Sequence, residues 1–519
     1  MTVNPLTRTP TSRLALHFPA RSTSFSQLAT KVMLRLTTAR LGARITPGRH
    51  SVTAPQQLSR RWLSDSQAPK SAPPRPNILL WGACAAVAAG GGYFWLNSGT
   101  GTKTATVPLL KLVSSEDEIS VLSPVPILDL KAANQKLREQ AQSFVFDDKD
   151  GQKGRVDVVR VASNDPVEDE WSVAVGKGVQ GRTALYAGVY DGHSGWATSK
   201  VLKQALIPYV STALSNVSAP TSGDVIDAAI KRAFTSLDDR ILGTARKAAE
   251  AGYEPGSAEV IAALAPAIAG SCALLCIYDP KSSVLRTAVT GDSRAVLGSW
   301  SSESGSFVAS ALSEDQTGFN KDEVKRLNAE HPGEGDDILS PKTGRLMGIA
   351  ITRGFGDHRW KWPNEFLNFL KSNYHGTDPR PKSKTPPYMI ATPEVTTRSV
   401  QTSDFVILAS DGLWDVMSNE DAVTCVSRWL SARRLGKPEA VVDVKTTGYT
   451  IDDEGWPSYK ATPEHFAIED LDNAAVCLVK NALGGTRRAM FCGSMTVTTP
   501  TSRYVRDDIT VQVIFFKDP

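Results

Sequence analysis

Apolar and polar positions divide the chain into a front part without a globular pattern and a long part of alternating strands and helices. From about residue 120, the pattern predicts buried strands at 185–190, 270–278, 284–290, 295–297, 404–410 and 509–516. It predicts helices at 197–214, 224–248, 321–330 and from about Asn419. The three strands from 270 to 297 are predicted to form a meander. Consecutive strands with helices in separate blocks favour an α+β layered sandwich over a doubly wound parallel sheet.

Polar, irregular stretches interrupt this pattern. Residues 373–387 are rich in Pro, Lys and Ser and predict an exposed loop, and 435–464 and 484–502 are also irregular. We interpret 373–387 and 435–502 as insertions in one globular domain, 121–519. Substrate and partner contacts tend to lie in such loops.

The first 64 residues contain no Asp or Glu and are rich in Arg, Ser and Thr, which is typical of a mitochondrial transit peptide. Apolar residues from Phe25 to Ala39 recur on one helical face. The pair Arg60-Arg61, shortly before Ser64, resembles a processing site. A plain disordered tail is the alternative.

An apolar segment follows the targeting segment. A Pro-rich linker at 65–77 leads into the uncharged run 78–96, which has Trp81 and Trp95 near its ends and is followed by a second linker, 97–120. About 20 helical residues cross a bilayer core of about 30 Å, so the run predicts a single transmembrane helix. A buried globular helix is the alternative, although three consecutive glycines disfavour it.

Charge and cysteine content exclude several classes of function. The net charge of +4 is concentrated in the first 64 residues, and the remainder shows no basic and aromatic stripe. We therefore expect no nucleic-acid partner. The six cysteines lack CxxC and CxxH spacing, so neither a disulfide framework nor a zinc site is expected.

Acidic residues border the apolar strands. Five acidic sites lie at strand ends or in the loops between strands: Glu168-Asp169, Asp191, Asp292, Asp411 and Asp507-Asp508. A single acidic residue at a strand end is usually a turn former. Five such positions in one domain are better explained by a shared site.

Carboxylates that converge repel one another and stay ionised together only when cations neutralise them. Ligands that are all oxygens favour Mg²⁺ or Mn²⁺. Two such ions, about 4 Å apart, can hold and activate a water that attacks a phosphate. Asp191 lies at a rigid strand end and could bridge both ions, and the Gly192 carbonyl could approach one of them. His193 could act as a general acid; a surface histidine is the alternative.

These residues resemble the protein phosphatase 2C (PP2C) family of metal-dependent protein phosphatases. The matching strings occur in the family's order between residues 164 and 516: ED at 168–169, VYDGHSG at 189–195, GSCA at 270–273, VTGDSRAVL at 289–297, TRGFGD at 352–357, ASDGLWDV at 409–416 and RDDITV at 506–511. The resemblance implies an α+β fold, a central antiparallel β-sandwich flanked by pairs of antiparallel helices. It implies hydrolysis of phosphoserine and phosphothreonine in a phosphoprotein substrate.

The resemblance also implies a role for each site residue. Asp191 would bridge two ions, with Glu168 and the Gly192 carbonyl on one, Asp411 and Asp507 on the other, and Asp292 with Asp411 at a weaker third ion. Asp169 and Asp508 would orient waters held by the ions, and His193 would be the general acid.

One position departs from the family pattern. Many members carry a phosphate-binding Arg where this chain has Asn164. The Asn164 side chain can donate a hydrogen bond to the substrate phosphate but brings no charge, so phosphate binding should depend more on the metal ions. The mitochondrial pyruvate dehydrogenase phosphatase branch is similar here, which makes the phosphorylated E1α subunit of pyruvate dehydrogenase a candidate substrate.

Three alternatives stay open. A nuclease would need a positive groove that the catalytic part does not show. An inactive PP2C-fold scaffold or binding module would usually lack some of the acidic ligands. An inner-membrane anchor with its N-terminus in the matrix would place the catalytic domain in the intermembrane space, whereas pyruvate dehydrogenase lies in the matrix. Topology favours the intermembrane space, and the sequence leaves the oligomeric state open.

Overall fold

The computed structural model describes residues 125–147, 151, 153–218, 221–445, 450–451 and 457–519. The predicted targeting segment, linkers and membrane span at 78–96 lie outside these residues. Among the helices in the described part of the chain, none is long and apolar enough to cross a bilayer.

The strands form two large antiparallel sheets and two small ones. In chain order they are β1 (Gln142–Asp147), β2 (Lys153–Val161), β3 (Glu170–Lys177), β4 (Thr183–Tyr190), β5 (Gly192–His193), β6 (Gly270–Ser271), β7 (Ala273–Asp279), β8 (Val284–Thr290), β9 (Arg294–Ser301), β10 (Ser306–Ala311), β11 (Phe355–Gly356), β12 (Glu394–Ser399), β13 (Phe405–Ala409), β14 (Thr450–Ile451), β15 (Pro457–Ser458) and β16 (Ile509–Phe515). One large sheet has the order β1-β2-β16-β13-β9-β10, and the other has the order β12-β8-β7-β4-β3. A ribbon, β11-β6-β5, and the pair β14-β15 complete the set.

The helices connect and cover these sheets. In chain order they are α1 (Leu130–Arg138), α2 (Ala197–Ser215), α3 (Gly223–Glu250), α4 (Ala258–Ile268), α5 (Lys321–Glu330), α6 (Gly335–Ile338), α7 (His358–Lys361), α8 (Asn364–Tyr374), α9 (Asp411–Trp414), α10 (Asn419–Leu435), α11 (Ala474–Ala482), α12 (Arg488–Thr496) and α13 (Ser502–Val505).

Alternation along the strands produces four layers, because successive side chains of a strand point to opposite faces. In β13, Val406 and Leu408 lie in the core between the two large sheets, whereas Phe405 and Ile407 face a second core. That second core contains α1, α10, α11 and α12. A third core packs α2, α3, α4 and α8 against the opposite face of the five-stranded sheet. The α+β sandwich expected from the sequence is therefore confirmed.

The predicted three-stranded meander is wrong. Strands β7 and β8 pair in the five-stranded sheet, but β9 pairs with β13 and β10 in the six-stranded sheet. The chain crosses between the sheets at 291–293, which places Asp292 at their common end. Because both sheets are antiparallel and apolar, the local pattern carries no information on which sheet receives β9.

The predicted strand at 270–278 is divided in the structure. Its first part, β6, pairs with β5 and β11, and its second part, β7, pairs with β4 and β8. Cys272 lies between them and donates its backbone N–H to the Asp191 carbonyl at 2.8 Å. The break therefore ties this strand to the acidic turn after β4.

The prediction of an irregular segment at 484–502 is also wrong. Residues Arg488–Thr496 form helix α12, and Phe491 and Met495, four residues apart, are buried in the core against the six-stranded sheet. Helix α1 holds α12 through the Lys136 ammonium, which donates to the Met495 carbonyl at 2.6 Å. Every residue of α11 is buried too, so much of 474–496 belongs to the core.

The other predicted loop agrees better with the structure. Residues 375–387 contain no helix or strand and are mostly exposed, although α8 extends to Tyr374. Arg380 is the exception in this loop, since it is buried over the Trp360 ring.

We expect Trp429→Ala to lower the free energy of unfolding by about 3–5 kcal/mol. Trp429 on α10 is fully buried, stacks on Phe515 at 5.5 Å between ring centroids, and donates its indole N–H to the Asp470 carbonyl. Denaturant unfolding followed by circular dichroism measures the change. Trp300→Ala is the matched control, because that side chain is 52% exposed and its loss should cost about 1 kcal/mol or less. Equal losses in the two variants would contradict this assignment of the core.

Candidate metal centre and active site

The loop after β2 is organised by one carboxylate, that of Asp508. Its Oδ1 accepts hydrogen bonds from the Ser163 N–H, the Ser163 hydroxyl and the Asn164 N–H, at 2.5, 2.7 and 3.2 Å. Its Oδ2 accepts from the N–H groups of Glu168 and Asp169, at 2.8 and 3.2 Å. Because a carboxylate offers about four lone-pair sites, these donors occupy it. Asp508 therefore holds the loop that carries Glu168, and the orientation of waters by Asp508 stays a prediction from the resemblance.

Asp191 follows β4 directly and is fixed by its neighbours in the chain. Gly192 and His193 form β5, which pairs with β6. A side chain at Gly192 would place its Cβ 2.2 Å from the Glu168 carbonyl oxygen, so only glycine permits this close approach. The strand end and the loop at Glu168 are thus packed together.

Asp411 begins α9 immediately after β13. The preceding Ser410 donates its hydroxyl to Asp169 Oδ2 at 2.8 Å and accepts the Thr510 N–H at 2.9 Å. Asp169 itself is almost fully buried. Ser410 therefore connects β13, β16 and the loop after β2 directly beneath the site.

Asp292 lies in the crossing between the two sheets. The Cys272 thiol, also buried, donates to Asp292 Oδ1 at 3.2 Å. Burial and the charges of Asp292 and Asp191 raise the pKa of Cys272 well above its ordinary value, which keeps the thiol protonated as a donor.

Three predicted ligands converge. One carboxylate oxygen from each of Asp191, Asp292 and Asp411 lies within 4.8 Å of the others. The resemblance paired Asp292 with Asp411 at a weaker third ion, and these two residues do lie together; which ion each would hold stays a prediction.

The other two acidic ligands expected from the resemblance have protein partners. Arg503 forms an ion pair with Asp507 Oδ1. Glu168 accepts hydrogen bonds from the Gly195 N–H and from the Asn164 side-chain amide. In this structure, therefore, the Asn164 amide is directed at Glu168.

Burial and mutual repulsion raise the pKa values of these acids. Burial, followed by the charges of neighbouring aspartates, raises the pKa of Asp191 and of Asp411 well above the ordinary value. Burial is also the main cause that raises the pKa of Asp292 and of Asp507 to about 6. Each carboxylate is thus held where its charge is costly unless a cation neutralises it.

This arrangement fits a magnesium or manganese site. The converging donors are carboxylate oxygens, which are the ligands that these hard cations prefer. The trio comes from three different strand ends, so the backbone fixes its spacing independently of any ion.

His193 is paired with Asp357. His193 Nε2 lies 2.8 Å from Asp357 Oδ2, and the carboxylate is almost completely buried. Burial alone would lower the pKa of His193, but Asp357, with help from Asp292 and Glu168, raises it above the ordinary value. A side chain at Gly270 would place its Cβ 2.0 Å from His193 Nε2, so glycine there makes room for the pair.

Sequence reasoning did not assign roles to Asp357, Ser410 and Arg503. Asp357 ends the quoted string TRGFGD, but nothing local shows that it meets His193, which lies 164 positions earlier. Arg503 precedes Asp507 by one helical turn, and this spacing is the signal that could have indicated the ion pair.

The fold and site define a class: an α+β sandwich with a buried acidic centre where its two sheets meet. The family model of protein phosphatase 2C matches residues 176–447. A protein phosphatase 2C homolog of Schizosaccharomyces pombe is 40% identical over 406 residues, covering 76% of this chain and 87% of that protein.

Two further relatives are named mitochondrial [pyruvate dehydrogenase [acetyl-transferring]]-phosphatase 1. The Saccharomyces cerevisiae protein is 34% identical and covers 70% of this chain and 69% of its own length. The Homo sapiens protein is 27% identical and covers 69% of this chain and 76% of its own length. The chain belongs to the protein phosphatase 2C family, and it is a protein phosphatase.

We expect metal binding to stabilise the protein more at pH 7.5 than at pH 5.5. With folded pKa values near 6 for Asp292 and Asp507, against an ordinary 3.8, the folded protein binds more protons than the unfolded chain between about pH 4 and 6. The metal-free fold therefore gains stability as the pH falls through this window. Protons and metal ions compete for the same carboxylate oxygens. The increase in melting temperature on adding Mg²⁺ or Mn²⁺ should therefore be smaller at pH 5.5 than at pH 7.5.

Thermal melts of the metal-free and metal-saturated protein at both pH values measure this difference. At a hundredfold excess over Kd the metal should contribute about 2.7 kcal/mol at the higher pH. Asp191→Asn should abolish most of the increase, whereas Asp378→Asn, at a side chain that is 69% exposed, should retain it. A metal-induced increase that is equal at both pH values would exclude these carboxylates as the site.

Proposed function

We propose that this chain is a Mg²⁺- or Mn²⁺-dependent phosphatase that removes phosphate from serine and threonine residues of a mitochondrial protein. The convergence of Asp191, Asp292 and Asp411 within 4.8 Å is the observation that carries the proposal. When bound there, the ions would neutralise charge on the phosphoryl group and supply an activated water as nucleophile. Asp507 and Glu168, which border the trio, would complete their coordination, together with the Gly192 carbonyl.

His193 acts in this proposal as the general acid. Its proton goes to the serine or threonine oxygen as the bond to phosphorus breaks, so the leaving group departs as an alcohol. Asp357 stabilises the protonated imidazole and fixes its orientation through the 2.8 Å contact at Nε2. With Nε2 bound to Asp357, Nδ1 is the nitrogen that delivers the proton.

Pyruvate dehydrogenase is the substrate that the comparisons support best. Two relatives carry its name and the word mitochondrial, and the acid-free first 64 residues agree with that compartment. We propose a mitochondrial location on these grounds. The anchor at 78–96 and its orientation stay predictions from the sequence.

We expect the purified chain to release phosphate from phosphorylated pyruvate dehydrogenase only with Mg²⁺ or Mn²⁺ present. Asp191→Asn should lower kcat by at least about a hundredfold, because it removes a charge from the centre of the trio. Asp378→Asn is the matched exposed control and should match the unmodified chain. Malachite-green detection of phosphate, with phosphocasein as a comparison substrate, gives the rates. Metal-independent release, or none with either metal, would reject the proposed activity and favour an inactive binding module.

We expect Asp357→Asn to move the alkaline limb of the pH–kcat profile to lower pH. Without the Asp357 charge, burial dominates and the pKa of His193 falls, so less of the acid is protonated at neutral pH. Replacing the acid itself is the second arm of the test: His193→Ala should lower kcat on a phosphoserine peptide by about 10²–10⁴-fold. The loss should be small on p-nitrophenyl phosphate, whose weakly basic leaving group needs no proton. Equal losses on both substrates would contradict the role of general acid.

A further inference from the structure

A phosphoryl group must approach a centre that is already rich in negative charge. At Asn164 the chain has no positive charge to offer, and the side-chain amide of Asn164 donates to Glu168. Binding of a phosphate dianion would therefore benefit from a cation supplied by another element.

Arg503 brings such a cation to the same place. It lies on the short helix α13, and its Nη1 is 3.1 Å from the Ser163 hydroxyl, beside Asn164. The same nitrogen forms the ion pair with Asp507. Residues 163 and 503 are thus neighbours, although they are 340 positions apart in the chain.

The backbone around Arg503 is held by contacts of Ser502, at the start of α13, and of Asp508, three residues beyond its end. The Ser502 hydroxyl donates to the Ser163 carbonyl, and Asp508 accepts five hydrogen bonds from the loop at 163–169. The guanidinium is therefore held at the edge of the acidic centre, with 21% of the side chain exposed to solvent.

The Arg503 side chain is positively charged. An arginine guanidinium stays protonated in proteins, and that of Arg503 is paired with Asp507. Cations bound among the carboxylates of the centre would weaken their hold on the guanidinium. The planar guanidinium of Arg503 could then donate two parallel N–H bonds to two oxygens of one phosphate.

We propose that Arg503 binds the phosphoryl group of the substrate and supplies the charge that position 164 lacks. This inference rests on the proposed function, since it concerns the same centre. The rival role is structural: Arg503 would only neutralise Asp507 and have no contact with phosphate.

Titration calorimetry of the full chain with inorganic phosphate at saturating Mn²⁺ separates the two roles. We expect Arg503→Met to raise the Kd of phosphate about 10- to 100-fold, as for loss of a hydrogen bond between charged groups. On a phosphopeptide, KM should rise more than kcat falls. The affinity for Mn²⁺ should be unchanged or tighter, because a positive charge beside the carboxylates is removed. Arg246→Met, which removes an exposed arginine paired with Glu250, should leave both affinities unchanged.

A second-site variant sharpens the test. Asn164→Arg combined with Arg503→Met should restore phosphate affinity to within about threefold, because it returns a guanidinium to the adjacent loop. If Arg503→Met fails to fold, Arg503→Lys carries the test. It keeps the charge beside Asp507 but lacks the fork, so its Kd for phosphate should still rise several-fold.

Unchanged phosphate affinity in Arg503→Met or Arg503→Lys, with only the Mn²⁺ affinity altered, would overturn the inference and leave the structural role. Failure of the proposed function is a separate result. It would show as a lack of phosphopeptide turnover by the unmodified chain, while the calorimetric comparison of phosphate affinities would still decide the role of Arg503.

Discussion

Mutual repulsion among buried carboxylates is the constraint around which the site is built. Asp191, Asp292 and Asp411 come from the ends of three different strands and bring oxygens within 4.8 Å of one another. Left to relax, such charges would separate or take up protons. They cannot separate, because β4, β8, β9 and β13 are held in the interior of the two large sheets, so the free energy of hydrophobic burial maintains the spacing. The stability of the sandwich and the charge density of the centre are thus linked.

The acidic residues around the trio each have a hydrogen-bonding or basic partner of their own. Asp508 is saturated by donors from one loop, and Asp169 accepts the Ser410 hydroxyl. Asp357 is paired with His193, and Asp507 forms an ion pair with Arg503. The acidic residues at this end of the sandwich therefore have different tasks. Some hold loops, Asp357 raises the pKa of His193, and the central trio is left with the strongest need for cations.

The sequence predicted the strands at 185–190, 284–290 and 509–516 because each is a short run rich in apolar and β-branched residues. The sequence could not predict which sheet β9 joins, because its apolar pattern fits an antiparallel partner in either sheet. The prediction that 484–502 is irregular was wrong for a related reason. Helix α12 contains Gly493, Ser494 and Thr496, which are weak helix formers, and its stability comes from packing Phe491 and Met495 against a core assembled from distant segments.

The amino-acid sequence was enough to show that acidic residues border apolar strands, to predict that they hold hard cations, and to indicate which family the ordered motifs resemble. It also supplied the acid-free N-terminal segment and the uncharged Asn164. These are local facts of composition and spacing. The folded structure was needed to show that Asp357 pairs with His193, that Arg503 lies beside Ser163, and that Asp292 lies within 4.8 Å of Asp191 as well as of Asp411. Each of those contacts joins residues that are at least 100 positions apart, and only the stacking of the two sheets brings them together.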